Sequence, residues 1–198
     1  MKRDPAPTKR KHHHGDLRPA LINAGLNLLD SGGIEAVTIR ACARAAGVSH
    51  AAPVNHFADL KALLTALAIH CMAEFEATNR AAANGGANSR AAIEAIFAAS
   101  LDYAEVHPHR YRLMFRADLL NAANPDLMAQ SQAVLDIVNA AACDLPPPGR
   151  ASRETLIVAI CSMMHGYVSM RIDGNFEVLP DERTGEPRYL AMLDALLE

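Results

Sequence analysis

Apolar residues recur at spacings of three and four along most of the chain, and no stretch keeps the alternation of a half-buried strand. Leu21, Ala24, Leu28 and Leu29 make a first helix face, with Pro19 in the first turn, where a missing N–H costs nothing. Thr38 is placed to cap a second helix. Gly47 ends it, since glycine takes a positive φ with little strain. Val48 then serves as an apolar plug, and Ser49 can cap another short helix. Asp59 caps a run from Leu60 to about Asn79, and Asn88 or Ser89 caps the next, whose face carries Ile93, Phe97, Leu101 and Ala104. His107-Pro108 breaks that helix, and Tyr111, Met114 and Phe115 define a short one. Asn124-Pro-Asp126 starts another, with Leu127, Val134, Leu135 and Val138 inward. After the Pro-rich break at Leu145–Gly149, Ser152 caps a long helix to Ile172, and a last helix carries Leu190, Leu193 and Leu197. The pattern predicts an all-α fold of about nine helices.

The long helix is apolar nearly all round, which predicts burial on more than one side. One stripe, Ala159, Ser162, Gly166 and Ser169, is small throughout and permits close approach of another helix.

The segment Thr38 to Phe57 reads as helix, glycine turn and second short helix. Small residues at Ala43, Ala45, Ala46, Ala51 and Ala52 allow a steep, close crossing. That is the build of a helix-turn-helix, whose second helix can enter a DNA major groove. His50, Asn55 and His56 are the polar groups on that element, and Asn can pair bidentately with adenine. His56 reads equally well as a local structural hydrogen-bonding group. Arg40 follows a helix N-terminus and is an expected phosphate contact, while Arg44 one turn on reads as solvated.

Leu21-Ile22, Ala24, Leu28-Leu29, Gly33, Thr38, Ala43, Ala46-Gly-Val-Ser49, His56-Phe57 and Leu63-Leu64 together make residues 16–70 resemble the N-terminal domain of TetR-family transcriptional regulators. His107-Pro-His-Arg-Tyr-Arg-Leu-Met-Phe115 and Met164-His-Gly-Tyr-Val-Ser-Met-Arg-Ile-Asp-Gly174 resemble the WHG-type C-terminal domain found among them. The resemblance implies a homodimer whose last two helices form a four-helix bundle, through the Ala159, Ser162, Gly166 and Ser169 stripe and the Leu190, Leu193 and Leu197 face, and a head that contacts double-stranded DNA through Thr38, Arg40, Ser49, His50, Ala51, Asn55, His56 and Lys61. Two positions depart from the family pattern. Val54 stands where Tyr is usual and Leu60 where Lys is usual, and neither can donate to a phosphate. Lys61, one place on, is the candidate replacement.

Composition narrows the picture further. Of 198 residues, 51% are apolar but only 5% aromatic, with no Trp, so the core must be aliphatic and Ala-rich. The net charge of −3 is unevenly spread: residues 1–61 hold nine Lys/Arg against five Asp/Glu, and the remainder ten against seventeen. A basic head on an acidic body fits a head that meets a polyanion. Residues 1–15 read as a disordered basic arm, including His12-His13-His14, which reads as native arm ahead of metal site or tag. Residues 16–61 then form the DNA-binding domain, and 62–198 the effector-binding and dimerisation domain. Cys42, Cys71, Cys143 and Cys161 show no paired spacing and read as buried small hydrophobes in a reducing cytoplasm, with a redox sensor as the lesser alternative. The longest apolar run, Leu156 to Met164, is far short of the ~20 residues of a membrane span, and the basic N-terminus lacks the apolar stretch of a secretory signal.

Phe97, Leu101, Met114, Phe115, Met164 and Tyr167 are the expected lining of a pocket for a small apolar or amphipathic effector, Met-rich walls being adaptable. Ordinary core is the alternative for each. His107 and His109, near Asp102 and Glu105, read as a helix start ahead of a metal site. No phosphate loop, catalytic triad arrangement or H-E-x-x-H motif occurs, and no cofactor or catalytic residue is expected. The first reading is a cytoplasmic homodimeric regulator, a ligand-responsive repressor on a palindromic operator, with no membrane partner. The second is a ligand- or protein-binding dimer of the same fold with weakened DNA binding. An all-α enzyme stands third.

Overall fold

The computed structural model describes residues 17–147, 149–175, 177 and 179–197. The expected basic arm, 1–15, lies outside the described residues. Among the described residues eight α-helices follow in order: α1 (Leu17–Gly32), α2 (Ile39–Ala45), α3 (Leu60–Asn84), α4 (Ser89–Val106), α5 (Pro108–Met114), α6 (Pro125–Ala141), α7 (Arg153–Ile172) and α8 (Arg188–Leu197). Single 3-10 turns stand at Ile34–Ala36 and Ala52–Asn55.

Helix starts follow local chemistry. Thr38, Asp59, Asn88, Asn124 and Ser152 each accept, through a side-chain oxygen, the N–H three residues on, satisfying a donor that has no partner within the helix. α3 runs five residues beyond the expected end at Asn79, because Arg80 to Asn84 is Ala-rich and meets no breaker before Gly85.

α3 is the spine. It packs on α1, α4, α5 and α6, and one apolar core runs without interruption from Leu21 and Leu29 in α1, through Leu63 and Leu67 in α3, to Ile93 and Phe97 in α4. α1 lies so close to α3 that a Cβ on Gly25 would stand 3.0 Å from the Leu67 side chain. Thr65 is buried and hydrogen-bonded both ways: its hydroxyl donates to the Lys61 carbonyl at 2.7 Å and accepts the Asn121 N–H at 3.0 Å, fastening the α5–α6 connection to the spine. Among the described residues one helix, α7, has the length and composition to cross a membrane, so the short unbroken apolar run understated it. Its Leu156, Ile160, Tyr167 and Val168 are buried in the core, and α7 packs on α4, α6 and α8.

Candidate nucleic-acid interface and ligand cavity

The head is built by α1, α2 and the turn that follows. The Thr38 Oγ1 accepts the Ala41 N–H at 3.0 Å and sets the start of α2. Gly47, at φ +68°, reverses the chain, and the Val48 N–H returns to the Ala43 carbonyl at 3.0 Å. The second element of the motif is shorter than expected. Residues 50–56 hold turns and a single 3-10 turn rather than an α-helix. Pro53 has no N–H to give to the Ser49 carbonyl, so the chain closes instead through Ala52 N–H to Ser49 O at 3.0 Å and His56 N–H to Pro53 O at 2.8 Å. The cap position falls at Ala51 with no side-chain hydrogen bond, so the expected Ser49 cap is not formed.

Thr38, Arg40, Ser49, His50, Ala51, Asn55 and Lys61 are all exposed, and His56 is half-buried. Val54 and Leu60 are also exposed, at 65% and 40%. Arg18, absent from the expected set, is exposed in the first turn of α1, with its guanidinium carbon 5.4 Å from the centre of the buried Phe57 ring. A cation held against an aromatic face is a fixed positive charge at the edge of the motif. Its partner lies far along the sequence, so only its place in the first turn of α1 could have marked it.

Head and body meet at α5. Arg110 donates to both carboxylate oxygens of Asp30 in α1 and, through Nη1, to Glu74 in α3 at 2.7 Å. These bonds and the charge of Arg110 hold the Asp30 carboxyl below its ordinary pKa. The His109 ring lies 3.3 Å from where a Cβ on Gly33 would stand, and Gly33 itself is at φ +73°.

The opposite side of α5 faces open space. An inner cavity of about 200 Å³ is bounded by α3, α4, α5, α6 and α7, including Phe75, Ile96, Tyr111, Val138 and Met164. Beside it runs an apolar groove of about 590 Å³ between Met72, Met114, Leu120, Met128 and Leu135. A third, more polar cleft of about 490 Å³ reaches from Glu35 to Arg112, Arg116 and Asp173. Phe115 borders all three. Polar groups reach the inner cavity at Ser131, whose hydroxyl donates to the Leu127 carbonyl at 2.8 Å, and at two side-chain pairs. At one, the Ser100 hydroxyl donates to Asn79 Oδ1 at 2.9 Å while Asn79 Nδ2 donates to the Phe75 carbonyl. At the other, the Tyr111 hydroxyl and His165 Nδ1 stand 3.1 Å apart, and burial lowers the His165 pKa. Of the six residues expected to line a pocket, Met114, Phe115 and Met164 reach these walls. Phe97 and Tyr167 do not: Phe97 is fully buried, and its ring packs edge-on against Tyr167 and tilted on Tyr189. Leu101 is half-buried against the core and also belongs to packing.

The family model for bacterial regulatory proteins of the tetR family matches residues 21–67, and that for the tetracyclin repressor-like C-terminal domain matches residues 93–196. The chain belongs to the TetR family. Among solved structures it is similar to a protein of unknown function from Rhodococcus sp. RHA1, with 25% identity, a TM-score of 0.73, and 96% of this chain and 100% of that one covered. It shares its fold with a TetR family transcription regulator from Marinobacter aquaeolei VT8 (15% identity, TM-score 0.63, 92% and 94% covered). The same holds for a TetR transcriptional regulator from Rhodococcus sp. RHA1 (16% identity, TM-score 0.62, 93% and 98% covered). No curated protein matches the sequence. As a TetR-family protein the chain is a DNA-binding transcriptional regulator.

Other expected features of this TetR-family chain fall as follows. Ala159, Ser162, Gly166 and Ser169 lie on the outward side of α7 with the exposed Val158 and Met170, and a Cβ on Gly166 would meet nothing within 4 Å. Leu193 is not available to a second subunit: it is fully buried in the core of its own, while Leu190 and Leu197 are half-buried. Its helix is short and amphipathic, so its strongest apolar position turns inward. Cys42 and Cys71 are buried, with burial pushing the Cys71 thiol up to about 12, and Cys161 is half-buried. Cys143 is exposed, contrary to the expectation of four buried thiols. Among the described residues no group of three or more His, Cys, Asp or Glu side chains is arranged to hold a metal ion.

Proposed function

We propose that the chain is a cytoplasmic, ligand-responsive repressor that acts as a homodimer on a palindromic operator. The observation that carries this reading is the double engagement of α5. One side of it, Tyr111 and Met114, borders the inner cavity and groove, and the other, Arg110, is ion-paired to Asp30 of the head. A ligand that shifts α5 therefore shifts the purchase of the body on α1. Coupling between such sites is typically about 1–3 kcal/mol.

In this reading the head comprises residues 16–61 and the body 62–198. Thr38, Arg40, Ser49, His50, Ala51, Asn55, His56 and Lys61 meet the DNA, with Arg40 and Lys61 on phosphates and Asn55 on a base edge. The subunits meet through Ala159, Ser162, Gly166 and Ser169 of α7, supported by the exposed Ser162, by the half-buried state of the other three on the outward side of the helix and by the space above Gly166. Two heads then address successive major-groove segments.

The test is titration of the protein against an operator taken from the inverted repeat beside its own gene, over a range of salt. With about six phosphate contacts, log K falls against log salt with a slope near about −5. Equal affinity for operator and random duplex at every salt concentration would overturn the reading. It would favour the second one, a family member with weakened DNA binding, which rests on Val54 and Leu60 standing exposed where neither can donate a hydrogen bond.

A further inference from the structure

Three polar side chains are buried among the described residues: Thr65, Asn79 and Ser100. Thr65 is accounted for by the connection it fastens. Asn79 and Ser100 fasten no loop. They face each other between α3 and α4, where two apolar side chains of similar size would hold the helices at least as well. Both border the inner cavity. Their hydrogen-bonding capacity is also not used up. Asn79 keeps a second amide N–H and a lone pair on Oδ1, and the Ser100 oxygen can still accept. The pair thus presents a donor and acceptors to whatever enters.

Among the described residues no Lys, Arg, Asp or Glu borders the inner cavity or the apolar groove, and the titratable ring that does, His165, is hydrogen-bonded to Tyr111 with its pKa lowered by burial. An ion placed there would lose its water and gain no fixed counter-charge, which is costly, whereas an uncharged polar group would exchange water for Asn79 and Ser100. The inner cavity is smaller than the ~300–1,000 Å³ usual for small-molecule sites. It shares Phe75, Phe115, Ser131, Val134 and Leu135 with the groove, so the two are halves of one elongated space. The groove half is apolar, has Met72, Met114 and Met128 in its walls, and holds the exposed Phe115, Met128 and Leu135.

We propose that this space takes an uncharged amphipathic molecule, its hydrogen-bonding head (an amide, alcohol or ester) at Asn79 and Ser100 and its aliphatic tail along the groove. The proposal rests on the reading of the chain as ligand-responsive. Methionine walls suit a flexible tail, because they repack around different shapes.

The probes are octanamide, octanoate and butanamide, added to the full chain and followed by calorimetry and by the midpoint of thermal unfolding. Octanamide binds saturably and raises the midpoint. Octanoate, matched in chain length but charged, binds at least about tenfold more weakly. Equal or tighter binding of octanoate overturns the proposal, as does failure of octanamide to bind. The double variant Asn79→Leu, Ser100→Ala keeps its helical circular dichroism and loses octanamide binding; unchanged binding overturns the placement of the head. Leu135→Asp weakens octanamide more than butanamide. A change of oligomeric mass in that variant, with amide binding intact, overturns the tail's place and makes the groove a protein-binding surface. Operator binding by the unliganded protein is measured alongside. If it persists while octanamide fails, the ligand class alone falls. Saturable octanamide binding that leaves operator affinity unchanged keeps the ligand class and overturns the ligand-responsive reading.

Discussion

Arg110 holds Asp30 by two parallel hydrogen bonds, Nε to Oδ1 at 2.8 Å and Nη2 to Oδ2 at 2.5 Å, across eighty positions of sequence. The Arg110 side chain is only 13% exposed, and its remaining nitrogen is taken by Glu74. A forked, partly sheltered pair of this kind fixes direction as well as distance, unlike the solvated ion pairs elsewhere on the surface.

Removing one side of this pair loosens the head. Asp30→Asn keeps the shape but not the charge, and it lowers stability by about 1–2 kcal/mol. Because the folded-state pKa of Asp30 is depressed, its stabilising contribution is complete above the ordinary carboxylate value of 3.8 and is lost as pH falls below it. Thermal unfolding of both proteins across that range checks this: the wild-type advantage disappears on acidification. The same variant also changes operator affinity in the liganded and unliganded protein by unequal factors, since it cuts the path from α5 to α1.

His165 gives a second pH signature. Burial depresses its pKa, so the folded protein favours the neutral ring, and stability declines as pH falls below the ordinary value of 6.5. His165→Gln retains a hydrogen-bonding group opposite the Tyr111 hydroxyl and flattens the unfolding midpoint between about pH 5 and 7. An unaltered pH profile would show that another group carries the titration.

Gly166→Leu separates subunit folding from association. A Cβ there meets nothing within 4 Å in its own subunit, and the variant folds with wild-type helicity. At a helix–helix contact the added volume is overpacking, worth about 1–3 kcal/mol per subunit. Sedimentation of the variant gives monomers, and operator binding falls with it, because one head makes half the contacts. Glu154→Gln, on the exposed first turn of α7, changes neither. A fully dimeric Gly166→Leu would move the interface off this stripe.

Val54→Tyr and Leu60→Lys each add a donor at an exposed position of the head. Each strengthens DNA binding modestly and leaves sequence preference unchanged, since phosphate contacts position without specifying. Gel-shift titrations on operator and on single-base variants check both halves of the expectation. Weaker binding by both variants would mean that the head docks in another orientation.

Much of the fold was legible because helix ends obey local chemistry. The capping oxygens at Thr38, Asp59 and Ser152 each sit where spacing put them, Asn88 takes the cap that the spacing left open between it and Ser89, and the Gly47 turn needs only its own φ. Periodicity also found the apolar faces of α4 and α6. It could not tell which residue of an apolar face borders space and which borders atoms, so Phe97 looked like a pocket residue and Leu135 like core. Leu193 looked like an interface for the same reason: its amphipathic helix has one apolar side, and only tertiary packing assigns that side to its own subunit. The recognition turn was misjudged for a local reason. Without an N–H at Pro53, so short a segment has too few bonds to sustain an α-helix. The Arg110–Asp30 and Arg18–Phe57 pairs join distant segments and have no sequence period at all.

The core that runs unbroken from Leu21 to Phe97 leaves the head without a melting transition of its own. Gly25 seated against Leu67, and the apolar residues of α1 shared with the spine, tie the amides of the DNA-facing end to the same global opening that exposes the cavity. A molecule bound near Asn79 at a hundred times its dissociation constant therefore slows hydrogen exchange in α1 by up to about a hundredfold, at a distance and without touching it.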